Sequence, residues 1–126
     1  ATNLPVSAPF HSSMMRPAEE RLRVEVDALD FVDPVRPVYV NVDAEPVTKA
    51  DAAKDALIRQ VSRPVFWEQS VRRMIEDGVS LFVEVGPGRV LSGLLARIDK
   101  SAERVSVQSP ADFAAANEAV AAARAS

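Results

Sequence analysis

The chain contains no cysteine and one histidine, His11, in 126 residues. Without thiols there is no disulfide scaffold, no thiolate nucleophile and no cysteine zinc site, so no structural or catalytic metal is expected and a reducing compartment suits the composition. A basic excess is missing as well: 15 Lys and Arg face 18 Asp and Glu, for a formal net charge of −3, which argues against nucleic acid as the main partner. Long apolar runs are also scarce. Val79 to Val85 and Val90 to Ala96 fall far short of a membrane span, and the first residues carry no charged-then-apolar leader, so the expected location is cytoplasmic, away from membranes. No Gly-x-Ser-x-Gly turn is found, and neither is a Gly-x-Gly-x-x-Gly or P-loop pattern. If His11 is a base, its nucleophile lies outside this chain.

What is present fits one folded unit, with 48% apolar and 26% charged residues, enough to bury a core. Leu4 to Ala8 reads as a short extended segment turned by Pro9, because the residue before a proline is pushed away from helix. A helix is expected from the Ser12-Ser13 pair, with Met15, Ala18, Leu22, Val26 and Leu29 on one stripe, a Glu19–Arg23 pair on another face, and Pro17 in the first turn. Val38 to Val42 has the β-branched and aromatic content of a buried strand. Thr48 is placed to cap a helix running to Val61, with Ala53, Ala56, Leu57 and Gln60 helically spaced before Arg63-Pro64 breaks it. Trp67 to Glu76 is helical and ends at Asp77-Gly78, and Ser80 to Val85 is the best strand candidate. Beyond the Gly86-Pro87-Gly88 turn come a helix from Val90 to Ile98, a strand from Arg104 to Val107 and an alanine-rich helix from Ala111 to Arg124. Strands separated by helices imply a parallel-sheet, layered α/β fold. A strand so close to the first residue leaves the sheet without its own beginning, so the chain is expected to open inside a domain.

Two motifs compete for a functional reading. His11, between Pro9-Phe10 and the serines, would sit near the positive end of a helix dipole, which disfavours imidazolium and suits a general base. Such a base needs its other ring nitrogen held by a carboxylate or a carbonyl. A lone histidine beside an apolar stretch is equally readable as a packed or capping residue. Gly86-Pro87-Gly88-Arg89, between strand and helix, could aim amides at an anion or a partner protein, giving a small non-enzymatic α/β module. Its plainer reading is a tight turn whose glycines allow close packing on the next helix. Asn41-Val42-Asp43 reads as turn chemistry, Trp67 with Phe66 and Val65 as core, and Arg72-Arg73 as a solvated face. The discriminating observation is the hydrogen bonding of His11: one nitrogen on a main-chain carbonyl and the other open for the base, both satisfied for the module.

Taken together, the stretch Val6-Ser7-Ala8-Pro9-Phe10-His11-Ser12-Ser13-Met14-Met15, Asn41-Val42-Asp43-Ala44, Leu57-Ile58-Arg59-Gln60 with Arg63-Pro64-Val65-Phe66-Trp67, and Val83-Glu84-Val85-Gly86-Pro87-Gly88-Arg89-Val90-Leu91-Ser92-Gly93-Leu94 resemble the malonyl-CoA:acyl carrier protein transacylase family. The resemblance runs from Leu4 to about Ile98, in the order and spacing of the family's C-terminal part, and the segment after Ser109 resembles the tail of the stand-alone enzyme. It implies that residues 1–126 are the C-terminal portion of an α/β-hydrolase-like large subdomain, with the ferredoxin-like subdomain and the nucleophilic serine elsewhere in the same enzyme. It implies ping-pong Ser-His acyl transfer of malonyl from coenzyme A to the phosphopantetheine thiol of acyl carrier protein, in fatty-acid or polyketide biosynthesis. Coenzyme A is then a substrate, no cofactor is implied, and this chain is inactive alone. The family's catalytic histidine maps onto His11, and the main-chain carbonyl that orients it maps onto Gln60. Phe10, just before the histidine, occupies a position that in related acyltransferase domains tracks extender choice. Its ring would crowd an α-methyl group and favour malonyl over methylmalonyl.

Overall fold

The computed structural model describes residues 8–125, so the strand expected over Leu4 to Ala8 lies almost wholly outside the described residues. The chain divides between Ser70 and Val71 into two compact units, with the helix α3 (Trp67–Glu76) running through the division.

In the first unit a 3-10 turn, Ser13–Met15, leads into α1 (Arg16–Asp27). Pro17 stands in the first turn of α1, where its missing N–H costs no helical bond. The expected stripe is inward as far as the helix lasts: Met15, Ala18 and Leu22 are half-buried and Val26 is buried, whereas Leu29, past the end, is exposed. Glu19 pairs with Arg23 at 3.6 Å. The strand expected over Val38 to Val42 is shorter, β1 (Val38–Val40), and pairs antiparallel with β2 (Glu45–Val47). This hairpin departs from the expected parallel arrangement. Residues 41–44 make its turn, with Ala44 in the left-handed region at φ 56° and donating its N–H to the Val40 carbonyl at 2.9 Å. Pro46 hides β2 in the sequence because proline cannot complete a ladder, yet an edge strand tolerates it.

The helix α2 (Ala50–Gln60) packs on both α1 and β1. Ala56 and Ile58, two positions apart and so on nearly opposite sides, are both buried, Ile58 at 1% exposure. A fully buried side chain of that size is worth about 1.5–3 kcal/mol. Leu57, helically spaced with them in the sequence, is 48% exposed. Thr48 does not cap α2: Lys49 occupies the N-cap position, and its side chain makes no capping bond. The Asp33 carboxylate does the capping, accepting from the Ala50 amide at 2.8 Å and from Lys49 Nζ at 2.8 Å. Trp67, the single tryptophan, buries its indole Nε1 with no hydrogen-bond partner among the described residues.

In the second unit α3 closes at Gly78, whose φ of 93° lets its amide reach the Ile75 carbonyl while Val79 reaches that of Met74. These two bonds form a Schellman ending. The strands β3 (Leu81–Val85) and β4 (Glu103–Val107) pair in parallel from Leu81↔Glu103 to Val85↔Val107. They are joined through α4 (Val90–Ile98), the crossover that parallel strands require. Ser109 and Asp112 form a capping box on a short 3-10 turn before α5 (Phe113–Ala125). The alanine-rich α5 packs on both strands; Leu95, Val107 and Ala116 are buried. The protein is thus a mixed α/β structure containing a parallel sheet.

Candidate active site

The local backbone around His11 is unusual before any partner is considered. His11 adopts φ 57°, a left-handed conformation that costs a non-glycine residue about 1–2 kcal/mol, although histidine enters it more often than most. The reversal is fixed by Ser12, whose hydroxyl donates to the Pro9 carbonyl at 2.8 Å and whose own carbonyl accepts from the Met15 amide at 2.9 Å. Strain of this kind persists only where neighbouring contacts over-determine it.

The turned-back ring meets the end of α2, 49 residues along the chain, where His11 Nδ1 lies 2.8 Å from the Gln60 main-chain oxygen. Gln60 is the last residue of α2, so its carbonyl has no helical amide to accept from. A carbonyl only accepts, hence Nδ1 donates, and in the neutral ring Nε2 then carries the lone pair. Nε2 has no hydrogen-bond partner among the described residues, and His11 is exposed. One ring nitrogen is therefore held by a main-chain carbonyl and the other is open. Phe10, the preceding residue, is 58% exposed.

The end of α2 is held from several sides. The Gln60 side-chain amide donates to the carbonyls of Arg63 and Pro64, both at 3.1 Å, turning the chain as the helix stops. Arg59 grips Asp43 in a two-pronged pair, 2.8 and 2.6 Å, and donates Nε to Asp55 at 2.6 Å. The Asp43 carboxyl is held below its ordinary range chiefly by these bonds from Arg59. Ser62, which is buried, donates its hydroxyl to Glu19 of α1, and the Phe66 amide donates to the Asn41 carbonyl at 2.9 Å. Asn41 and Asp43, read from the sequence as turn chemistry, thus also tie the hairpin to the exit of α2. Neither Arg59 nor Ser62 stands out by composition or periodicity; the one sequence signal is their position on either side of Gln60.

The glycine turn is differently committed. Gly86 and Gly88 have φ of 133° and 88°, and a Cβ at either would meet nothing within 4 Å. Backbone conformation, and not close packing as expected, is what requires glycine here. Several amides of the turn and helix start are already donated: Gly88 to Gln108 at 3.0 Å, and Leu91 and Ser92 to the Glu84 carboxylate at 3.0 and 2.8 Å. Glu84, unremarked in the sequence, also accepts from the Ser92 hydroxyl at 2.5 Å. These bonds hold its carboxyl below the ordinary value, and the first turn of α4 is capped from within. Arg73, read as part of a solvated face, pairs with Asp77 at 3.1 Å. Among the described residues no group of three His, Cys, Asp or Glu side chains could hold a metal ion, and no helix is long and apolar enough to cross a membrane.

No family model matches the chain. It is nevertheless 44% identical over 118 residues to the malonyl CoA-acyl carrier protein transacylase of Escherichia coli (strain K12), covering 94% of this chain and 38% of that protein. With the enzyme of the same name from Bacillus subtilis (strain 168) it shares 42% identity over 110 residues, 87% of this chain and 35% of that one. The crystal structure of acyl-carrier-protein S-malonyltransferase from Burkholderia pseudomallei 1710b superposes with a TM-score of 0.87 at 43% identity, over 92% of this chain and 38% of that one. The chain therefore spans well under half the length of the curated relatives it matches. By sequence and by fold it is homologous to a segment, a little over a third, of the malonyl CoA-acyl carrier protein transacylases.

Proposed function

We propose that the chain supplies the general base of a malonyl-CoA:acyl carrier protein transacylase, as the C-terminal portion of its large subdomain. The nucleophilic serine and the ferredoxin-like subdomain belong to the remaining length of the same cytoplasmic enzyme. The observation that carries the reading is the 2.8 Å contact between His11 Nδ1 and the Gln60 carbonyl, which leaves Nε2 as the ring's acceptor.

In the first half-reaction Nε2 takes the serine hydroxyl proton as the oxygen attacks the malonyl thioester carbonyl. The tetrahedral adduct collapses, the C–S bond breaks, and the ring returns its proton to the departing coenzyme A thiolate. The carrier's phosphopantetheine thiol then gives its proton to Nε2 as sulfur attacks the malonyl ester, and the ring hands that proton back to the serine oxygen. Each pass makes a transient imidazolium. The Gln60 oxygen, at the negative end of the α2 dipole, is where such a cation is favoured. It takes the place that a carboxylate holds in the Ser-His-Asp arrangement. The reaction as proposed calls for no metal or redox cofactor, because coenzyme A enters and leaves as substrate and product.

Replacing His11 by alanine in the complete enzyme is expected to lower kcat for malonyl transfer by about 10²–10⁴-fold, with the circular dichroism spectrum unchanged. A folded His11→Ala enzyme that transfers malonyl at the wild-type rate would overturn the assignment.

A further inference from the structure

The base is only as well placed as the carbonyl that holds it, and that carbonyl lies at a helix end. Helix ends fray, because their last carbonyls lack helical partners. Just past this one the backbone turn bonds are long: Val61 N–H to the Ile58 oxygen and Ser62 N–H to the Arg59 oxygen are both 3.3 Å. The shorter contacts are made by side chains. Arg59, the residue before Gln60, binds both oxygens of Asp43 in the hairpin turn at 2.8 and 2.6 Å and one oxygen of Asp55 a turn earlier in α2 at 2.6 Å. A planar guanidinium with both edges occupied fixes orientation as well as distance. Its own side chain is only 28% exposed, so the fork is partly shielded from competing water.

We propose that Arg59 is a positioning residue for the acyl transfer proposed above, on which this inference rests: it sets the Gln60 carbonyl in register with His11 by tying the last turn of α2 to the β1–β2 hairpin. The required precision follows from the 2.8 Å bond to His11. A slide of the last turn by about 1 Å would carry that contact beyond hydrogen-bond range and free the ring to rotate. Misplacement of about that size in a reacting group can cost on the order of 100-fold in rate. Arg59 touches neither His11 nor a reacting atom; it acts through its neighbour's backbone.

The test uses the complete enzyme and measures kcat and KM for malonyl-CoA in Arg59→Gln, Arg59→Lys and Asp43→Asn. Arg59→Gln is expected to lower kcat by about 10- to 100-fold with KM for malonyl-CoA unchanged. Arg59→Lys should recover only part of that, since an ammonium cannot form the two-pronged pair. Asp43→Asn combined with Arg59→Gln should be no slower than Arg59→Gln alone. In nitrogen-15 spectra the hydrogen-bonded Nδ1 proton of His11, assigned by its loss in His11→Ala, should exchange faster with water in Arg59→Gln. Lys49→Gln, which breaks the surface pair with Asp33, serves as the comparison and should leave kcat unchanged. A folded Arg59→Gln enzyme with wild-type kcat and an unaltered Nδ1 signal overturns the proposal, as does a drop in thermal midpoint with no change in either. Failure of the underlying functional reading looks different: the wild type itself would transfer no malonyl, or His11→Ala would keep full rate.

Discussion

His11 concentrates three local constraints: a left-handed φ, a ring nitrogen committed to a helix-end carbonyl, and a bulky exposed neighbour, Phe10. Phe10 is the residue on which substrate choice is proposed to turn. One added methyl in a pocket is worth about 1–3 kcal/mol, so Phe10→Ala in the complete enzyme is expected to narrow the preference for malonyl over methylmalonyl by roughly tenfold or more. Competition assays with the two thioesters read this directly, and an unchanged ratio would remove Phe10 from the specificity argument. His11 was legible at this scale because it is the only imidazole in the chain. Gln60 was legible only through the family resemblance, since nothing in the spacing of 11 and 60 announces a bond between a ring and a main-chain oxygen. Asp43 and Arg59 pair across 16 residues because a hairpin folds back on a helix, and no periodicity encodes that.

At the scale of elements, punctuation decided what could be read. The helix α3 ends and α4 begins where Gly78 and the Gly86–Gly88 turn predict, because positive φ admits few other residues. The second strand of the hairpin is hidden in the sequence because Pro46 breaks its pattern, and helical spacing does not single out the buried positions of α2, Ala56 and Ile58, because they lie on nearly opposite sides. Helix caps borrowed from distant residues were also invisible, as Asp33 is to α2 and Glu84 to α4. Glu84 has a measurable consequence. Its carboxyl lies below the ordinary value near 4.5, first through the Ser92 hydroxyl and then through the amides of Ser92 and Leu91. A group whose value is lowered on folding gives its full stabilisation above the unfolded value and loses it as pH falls toward the folded one. Stability of the wild-type protein should therefore decline as pH drops below about 4.5. In Glu84→Gln the part of that decline due to this carboxyl should vanish, the plateau stability being lower throughout. Urea midpoints across pH 3 to 6 test it; parallel curves for the two proteins would show that the cap carries no such linkage.

At the scale of the whole molecule, several large apolar side chains are exposed. Val85 and Val90, at the carboxyl end of β3 and the start of α4, are 77% and 71% exposed, and Val83, Leu91 and Leu94 are open as well. Apolar side chains left open at the end of a strand and the start of the next helix suit an interface. With the chain spanning 35% to 38% of its relatives' length, the proposed occupant is the rest of the same enzyme. Covering each valine fully would add about 1 kcal/mol. Expressed alone, the chain is expected to brighten a dye that reports apolar surface, and the signal should fall when the remaining portion of the enzyme is co-expressed. A chain that leaves the dye dark would show that these side chains are already satisfied. The α/β class and the order of most elements could be read from the sequence, but the division at Ser70 could not, because it falls inside a continuous helix with no change of composition to mark it.

The indole proton of Trp67, withdrawn from water and bonded to nothing among the described residues, gives the molecule a built-in optical gauge. Emission from this lone tryptophan should be blue-shifted in the native state and move to longer wavelength when the packing around the start of α3 opens to water.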